Sequence, residues 1–280
     1  MRTNRRYTWV LVLATLFALQ AAAAPAFAVQ FPDKNLEAAL RALVFEKKNN
    51  QEELTEEDLK NIFILDASGK NISNLTGLEH CKNLASAKLS KNQIVDLAPL
   101  KDLKNLQSLD LAGNQVTDIA PLAGLTKLQY LELTGNQVSD LAPLKELTAL
   151  SALYLTGNKV QDITPLAGLK KLSSLYLGGN QIHQLDPLKE ITRLSTLELK
   201  GNQIEDLSPL AGQTDLRYLF LENNRIADLA TLVQMAKADA DGPKRFAPFL
   251  HLYLAGNPLS DEAKNQQIAA LKSCGVRIAE

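Results

Sequence analysis

The chain repeats itself every 22 residues, and that period constrains its fold more than any other feature. Lys104 to Leu125 reads KNLQSLDLAGNQVTDIAPLAGL, and Thr126 to Leu147 reads TKLQYLELTGNQVSDLAPLKEL beneath it. Thr148 to Leu169, Lys170 to Ile191 and Thr192 to Gln213 follow in the same register without a gap. Lys82 to Leu103 precedes them, Thr214 to Met235 continues them with Thr231 in place of the Pro, and a looser copy spans Lys60 to Cys81. A ninth, truncated copy lies at Phe249 to Asn257. Its Asn falls 33 residues after Asn224, which marks an 11-residue insertion around Asp239 to Phe249. Self-similarity at this period means one small unit per copy, stacked because no copy can bury its apolar side chains alone.

Each repeated position has a physical reason. In Leu109-Asp110-Leu111, alternation points both leucines inward and Asp110 outward, giving one short strand per copy. Gly113-Asn114 then turns the chain. The series Asn92, Asn114, Asn136, Asn158, Asn180, Asn202, Asn224 and Asn257 needs a side chain that both donates and accepts. Such amides can satisfy turn backbone groups of their own coil and of the next. The series Asp96, Asp118, Asp140, Asp162, Asp206 and Asp228 precedes Leu/Ile-x-Pro-Leu in all but the last copy, where an acceptor can cap a short helical turn whose early Pro loses no needed donor. Gln184 fills this slot once and can still accept. Each Asp stands alone in its repeat, which favours capping over a calcium array.

The shared pattern L-x-x-L-x-L-x-x-N-x-[IV]-x-D-[LI]-x-P-L-x-x-L closely resembles the leucine-rich repeat, in the 22-residue class of internalin-like bacterial proteins. The resemblance covers about Ile62 to Asn257. It implies an α/β, right-handed solenoid with a concave parallel β-sheet, a convex side of short 3-10 turns and helical caps.

The flanks fit such caps. Phe31 to Phe45 reads as an amphipathic helix with Asp33 near its start and Leu36, Leu40, Leu43 and Val44 on one face. Thr55 is an N-cap candidate for a second helix opening Glu56-Glu57-Asp58. Ser260 to Ser273 reads as a helix with Ile268 and Leu271 inward, stopped by Gly275, and Val276 and Ile278 are placed to add a last strand. No immunoglobulin-like cap or cell-wall sorting tail, such as many internalins carry, is visible. At the other end, Arg2, Arg5 and Arg6, the apolar run Trp9 to Ala18 and Ala26-Phe27-Ala28 read as a secretory leader cleaved after Ala28. The run is short for a membrane anchor, and Thr8 and Trp9 do not continue a twin-arginine motif. Losing the leader removes the one Trp and takes the net charge from −1 to −4, so no basic field suggests nucleic acid. The expected organisation is a leader over 1–28, an N-terminal cap over 29–59, nine repeats over 60–257 with the insertion about 236–248, and a C-terminal cap over 258–280.

Side chains pointing out of the strands can be listed by column. The central column is Asp66, Lys88, Asp110, Glu132, Tyr154, Tyr176, Glu198, Phe220, Tyr253, and its neighbour is Ile64, Ser86, Ser108, Tyr130, Ala152, Ser174, Thr196, Tyr218, His251. Every tyrosine after the leader falls in these two columns. Tyrosine suits strands, but it is also a rigid amphipathic contact enriched at interfaces. Glu132, Glu198 and Glu222 add negative charge, with Lys88, Lys91 and Lys200 as partial counterweight. Sugar stacking is less suited, since such sites more often use Trp.

Catalysis and metal binding find little material. His80, His183 and His251 occupy different repeats and different repeat positions. Asp239 and Asp241 resemble a fragment of a calcium loop without its further ligands. Cys81 fills a core leucine position and Cys274 lies in the last cap, too far apart to pair. Asn71-Ile-Ser73 and Asn74-Leu-Thr76 are sequons, meaningful only in a glycosylating host. The sequence thus describes a secreted, periplasmic or extracellular, monomeric and non-catalytic scaffold without cofactor or metal, not integral to a membrane. It is expected to bind a protein or peptide through Tyr130, Glu132, Tyr154, Tyr176, Glu198, Tyr218, Phe220 and Tyr253. The alternative is an envelope-associated structural solenoid that binds glycan or peptidoglycan.

Overall fold

The computed structural model describes residues 28–279, so the expected leader lies outside the described residues except for Ala28. Ten three-residue strands form one parallel sheet in chain order. They are β1 (Ile64–Asp66), β2 (Ser86–Lys88), β3 (Ser108–Asp110), β4 (Tyr130–Glu132), β5 (Ala152–Tyr154), β6 (Ser174–Tyr176), β7 (Thr196–Glu198), β8 (Tyr218–Phe220), β9 (His251–Tyr253) and β10 (Arg277–Ala279). Short 3-10 turns such as Ala120–Leu122 and Ala142–Leu144 lie on the opposite side. No described helix is long and apolar enough to cross a membrane. In the copy from Lys104, Leu106, Leu109, Leu111, Val116, Ile119, Leu122 and Leu125 are all buried, and the stacked copies make one continuous core.

The asparagines hold neighbouring coils together. Asn158 donates from Nδ2 to Leu155 O of its own turn and to Leu133 O of the preceding coil, both at 2.9 Å. Its Oδ1 accepts from the preceding coil's Val138 N at 2.9 Å. The same pattern runs from Asn92 to Asn257. Main-chain bonds between coils, such as Leu111 N to Glu132 O at 2.8 Å and Gln115 N to Ile94 O at 3.0 Å, complete the accounting.

The aspartates act one residue earlier than an N-cap. Asp118 Oδ1 accepts from Ala120 N, the first amide of the 3-10 turn, at 2.8 Å, and Asp96, Asp140, Asp162 and Asp206 do the same. Gln184 makes no such bond. The turn residue before each Asn takes the left-handed conformation, as at Gly113 and Gly135. Lys91 (φ 56°) and Asn223 (φ 55°) adopt it without being glycine.

Both ends are closed by the flanks. The first helix, α1 (Lys34–Arg41), is shorter than its apolar pattern implies. The chain leaves it in i to i+3 turns such as Leu43 N to Leu40 O, which turns Leu43 out to 48% exposure while Leu36, Leu40 and Val44 stay buried. Asp33 joins this cap to the first coil. One carboxylate oxygen caps α1 through Asn35 N and Leu36 N, and the other accepts from Ser73 N and Asn74 N. Phe31 presses on Gly77, where a Cβ would sit 2.4 Å from the ring. The second helix, α2 (Glu56–Leu59), opens with a reciprocal capping box between Thr55 and Asp58.

In the eighth coil the 3-10 turn is replaced by α3 (Ala230–Ala240), and the insertion returns through a loop organised by buried Asp239, which accepts from Arg245 N, Phe246 N and Ala247 N. The C-terminal helix is not uniform. A π segment, Ala263–Gln267, precedes α4 (Ile268–Ser273) and turns buried Gln267 inward. Its Oε1 accepts from Leu229 N at 2.7 Å and its Nε2 donates to Asp228 Oδ1. Gly275 (φ 95°) ends α4, and β10 pairs parallel with β9.

Burial alone would raise the Asp33 and Asp239 carboxyls, but the backbone N–H groups they hold keep both below the usual carboxylate range. Asp162 and Asp206 are depressed by their bonds to Thr164 and Ser208. Depressed folded values mean stability that is fully present above about pH 4 and is lost as pH falls through them. Thermal melts should therefore drop in acid, with a shallower drop for Asp239→Asn after correction for its lower starting stability. Asn158→Ala should cost roughly 2–5 kcal/mol in urea denaturation, because it strands two carbonyls and one amide. Lys91→Gly should add about 1 kcal/mol by relieving a left-handed backbone.

Candidate functional site

The register brings together the two columns read from the sequence. Glu132 pairs with Tyr154, Tyr154 with Tyr176, Tyr176 with Glu198, Glu198 with Phe220 and Phe220 with Tyr253. In the adjacent column Tyr130 lies beside Ala152 and Tyr218 beside His251. The middle residue of each strand from β1 to β9 is buried, and its neighbours are at least partly exposed on the open face of the sheet, Tyr218 at 43%.

The rings form two groups rather than one continuous patch. Tyr130 and Tyr154 have centroids 5.3 Å apart, and Tyr154 and Tyr176 stack at 4.7 Å. On the far side, Phe220 stacks on Tyr253 at 4.5 Å and Tyr218 on His251 at 5.0 Å. Stacked and tilted rings lock one another's rotamers, so the surface is set before anything meets it. Burial, then the Glu132 charge, pushes the Tyr130 phenol up to about 12. Tyr154 is raised for the same first reason, with Tyr176 next. These hydroxyls stay protonated donors at any physiological pH.

Glu198 separates the groups. Its Oε2 accepts from Gly178 N at 2.8 Å and from Thr156 Oγ1, two coils away, at 3.0 Å. Gly178 makes room for it, since a Cβ there would lie 2.0 Å from Glu198 Oε1. Burial raises the Glu198 carboxyl, the bonds to Gly178 and Thr156 oppose this, and Glu222 adds to the rise. Thr156, Gly178 and His251 were not singled out as site residues from the sequence. In the repeat alignment Gly178, between Thr156 and Lys200, shows only as a missing side chain.

Other residues singled out in the sequence are held in structural contacts. Asp239 is engaged with three backbone amides and organises the loop of the insertion. His80 Nδ1 lies 3.0 Å from Glu56 Oε1 at a cleft beside α2, where it ties the cap to the first coil. Among the described residues, no three His, Cys, Asp or Glu side chains converge as a metal site. Cys81 is fully buried, which with Glu79 nearby pushes its thiol up to about 12, and Cys274 is likewise unpaired. Asn74 accepts from Thr76 N within its own sequon.

The family described as leucine-rich repeats (2 copies) matches residues 82–124, 104–146, 148–190 and 192–234, more than half of the chain. Internalin C2 from Listeria monocytogenes is 36% identical, with 76% of this chain and 96% of that one covered at a TM-score of 0.71. The chain belongs to the leucine-rich repeat family, in its internalin-like class. A leucine-rich repeat protein of Leptospira interrogans shares the fold at 24% identity and a TM-score of 0.68, covering 80% of this chain and 62% of that one. So does the functional domain of InlJ from Listeria monocytogenes, at 22% identity and a TM-score of 0.65, over 90% of this chain and 56% of that one. No curated protein sequence matches the chain. Leucine-rich repeat solenoids are binding scaffolds for other proteins, working through one extended sheet face.

In this internalin-like chain the dependence of Glu198 on Gly178 is directly checkable. Gly178→Ala should expel the carboxylate from its place without unfolding the solenoid. An NMR titration should then show Glu198 returning toward the ordinary carboxylate range. An unaltered titration would mean that the close approach of Gly178 does not set its environment.

Proposed function

We propose that this internalin-like chain is an exported, non-catalytic scaffold that docks a protein or an extended peptide on the open face of its sheet, as a monomer and without cofactor. The observation that carries this reading is the concentration of partly exposed rings on one rigid face. Tyr130, Tyr154 and Tyr176 stand on one side and Tyr218, Phe220, His251 and Tyr253 on the other, already packed against one another. Rings fixed in advance lose little entropy on binding, and aromatic residues dominate interface energetics. From Tyr130 on β4 to Tyr253 on β9 there are five strand spacings of about 4.8 Å, a distance spanned by roughly seven extended residues. Glu132 and Glu198 lie among the rings and favour a partner with basic or apolar groups. The Arg-led apolar segment ending at Ala28 supports delivery to the periplasm or beyond.

The test is a pull-down from envelope and host extracts with the chain that follows Ala28. Tyr154→Ala combined with Tyr176→Ala should then weaken the captured partner by at least about tenfold while far-ultraviolet circular dichroism is unchanged. Undiminished binding by that folded variant would reject this location for the site. Retention on insoluble cell-wall material, competed by soluble sugar, would replace protein recognition with glycan recognition.

A further inference from the structure

Glu198 is distinguished by the partner it lacks. It lies on β7 between Tyr176 and Phe220, at the gap between the two ring groups. Its bonds to Gly178 N and Thr156 Oγ1 are dipolar and leave its charge unneutralised. The charged groups acting on it are Glu222, of like sign, and Lys200. Among the described residues neither Glu198 nor Glu222 forms an ion pair within 4.0 Å, although Lys200 stands nearby. Glu222 Oε2 is itself buried with no hydrogen-bond donor. Two half-buried acids therefore stand on adjacent coils, neither in an ion pair and one with an orphaned oxygen. A half-buried charge left in that condition costs stability.

We infer that Glu198 and Glu222 receive the Arg or Lys side chain of a bound protein segment, whose flanking apolar side chains rest on the Tyr154–Tyr176 stack on one side and the Phe220–Tyr253 stack on the other. The inference rests on the docking-face reading and gives it a partner chemistry. The spacing agrees with it. Tyr176 and Phe220 are two strand spacings apart, about 10 Å, and side chains on one side of an extended segment repeat about every 6.8 Å. A basic residue over β7 thus places its second neighbours in either direction over the two stacks, while its long side chain extends toward the Glu198 carboxylate beside Gly178 and Thr156. Arginine suits the place best, because its planar fork can bridge carboxylate oxygens while its face lies against a ring.

Phage-displayed random nonapeptides, selected on the wild-type chain, on Glu198→Gln with Glu222→Gln, and on Tyr154→Ala with Tyr176→Ala, test this. Wild type should enrich sequences with Arg or Lys flanked two residues away by apolar or aromatic side chains. A selected Arg peptide should bind the Gln variant about tenfold more weakly, and its citrulline analogue should lose a similar factor on wild type. Glu198→Gln alone should melt at or above the wild-type temperature at neutral pH, since the amide oxygen still accepts from Gly178 and Thr156. Enrichment that depends on the tyrosines but shows no basic preference, or a preference kept by the Gln variant, overturns the inference and leaves the docking face standing. A Glu198→Gln chain that melts lower marks Glu198 as a structural acceptor and also overturns it. Enrichment absent from wild type, or unaffected by the tyrosine substitutions, removes the docking face and the inference with it.

Discussion

The constraint on which this molecule rests is the need of each buried turn for hydrogen-bond partners that it does not contain. A coil exposes main-chain amides and carbonyls to its neighbours on both sides, in a place where water does not reach. The asparagine side chain meets three of these needs at once, within its own turn and across to the preceding coil. Because that geometry accepts one spacing only, it sets the translation from coil to coil. Leucines 22 residues apart then pack in layers, and outward-pointing side chains 22 residues apart become lateral neighbours. Stacked tyrosines from different repeats are a consequence of buried amides on the other side of the same coils.

The same need explains the ends and the exceptions. Asp33 offers the first coil's Ser73 and Asn74 amides an acceptor from the N-terminal cap. Gln267 does the corresponding work for Leu229 from the opposite end. In both cases a polar side chain of a flanking cap bonds the main chain of the terminal coil. Glu198 runs against this logic in charge rather than in hydrogen bonding: its oxygen accepts from Gly178 and Thr156, yet it forms no ion pair, and Glu222 on the next coil keeps a buried oxygen without a donor, as does Gln213 among the described residues.

Much of this was legible in the sequence because the period converts linear position into spatial position. The strand positions of the repeats, the asparagine ladder and both aromatic columns followed from register, and the final strand from the apolar Val276 and Ile278 after the last helix. What escaped the sequence depended on side-chain reach rather than position. Leu43 fits the apolar face of α1 by its spacing, yet the helix ends before it can be buried. Gln184 matches the aspartate slot but makes no bond to the turn. The path of Glu198 across two coils to Thr156, and the consequent division of the rings into two groups, could not be read from a repeat alignment because Gly178 enters it only as a missing side chain. The π segment that aims Gln267 is invisible to any pattern of helical spacing.

The detour between β8 and β9 carries a lesson about the architecture. The chain leaves the solenoid along α3, turns at Asp239 and rejoins in register, so Tyr218 still faces His251 and Phe220 still faces Tyr253. Length is therefore absorbed entirely on the back of the molecule. The rear of such a scaffold can grow, acquire a tag or carry a second module while its front keeps the same ordering of side chains. Evolution, or a protein engineer, can alter the outline of this chain without rewriting what its front presents.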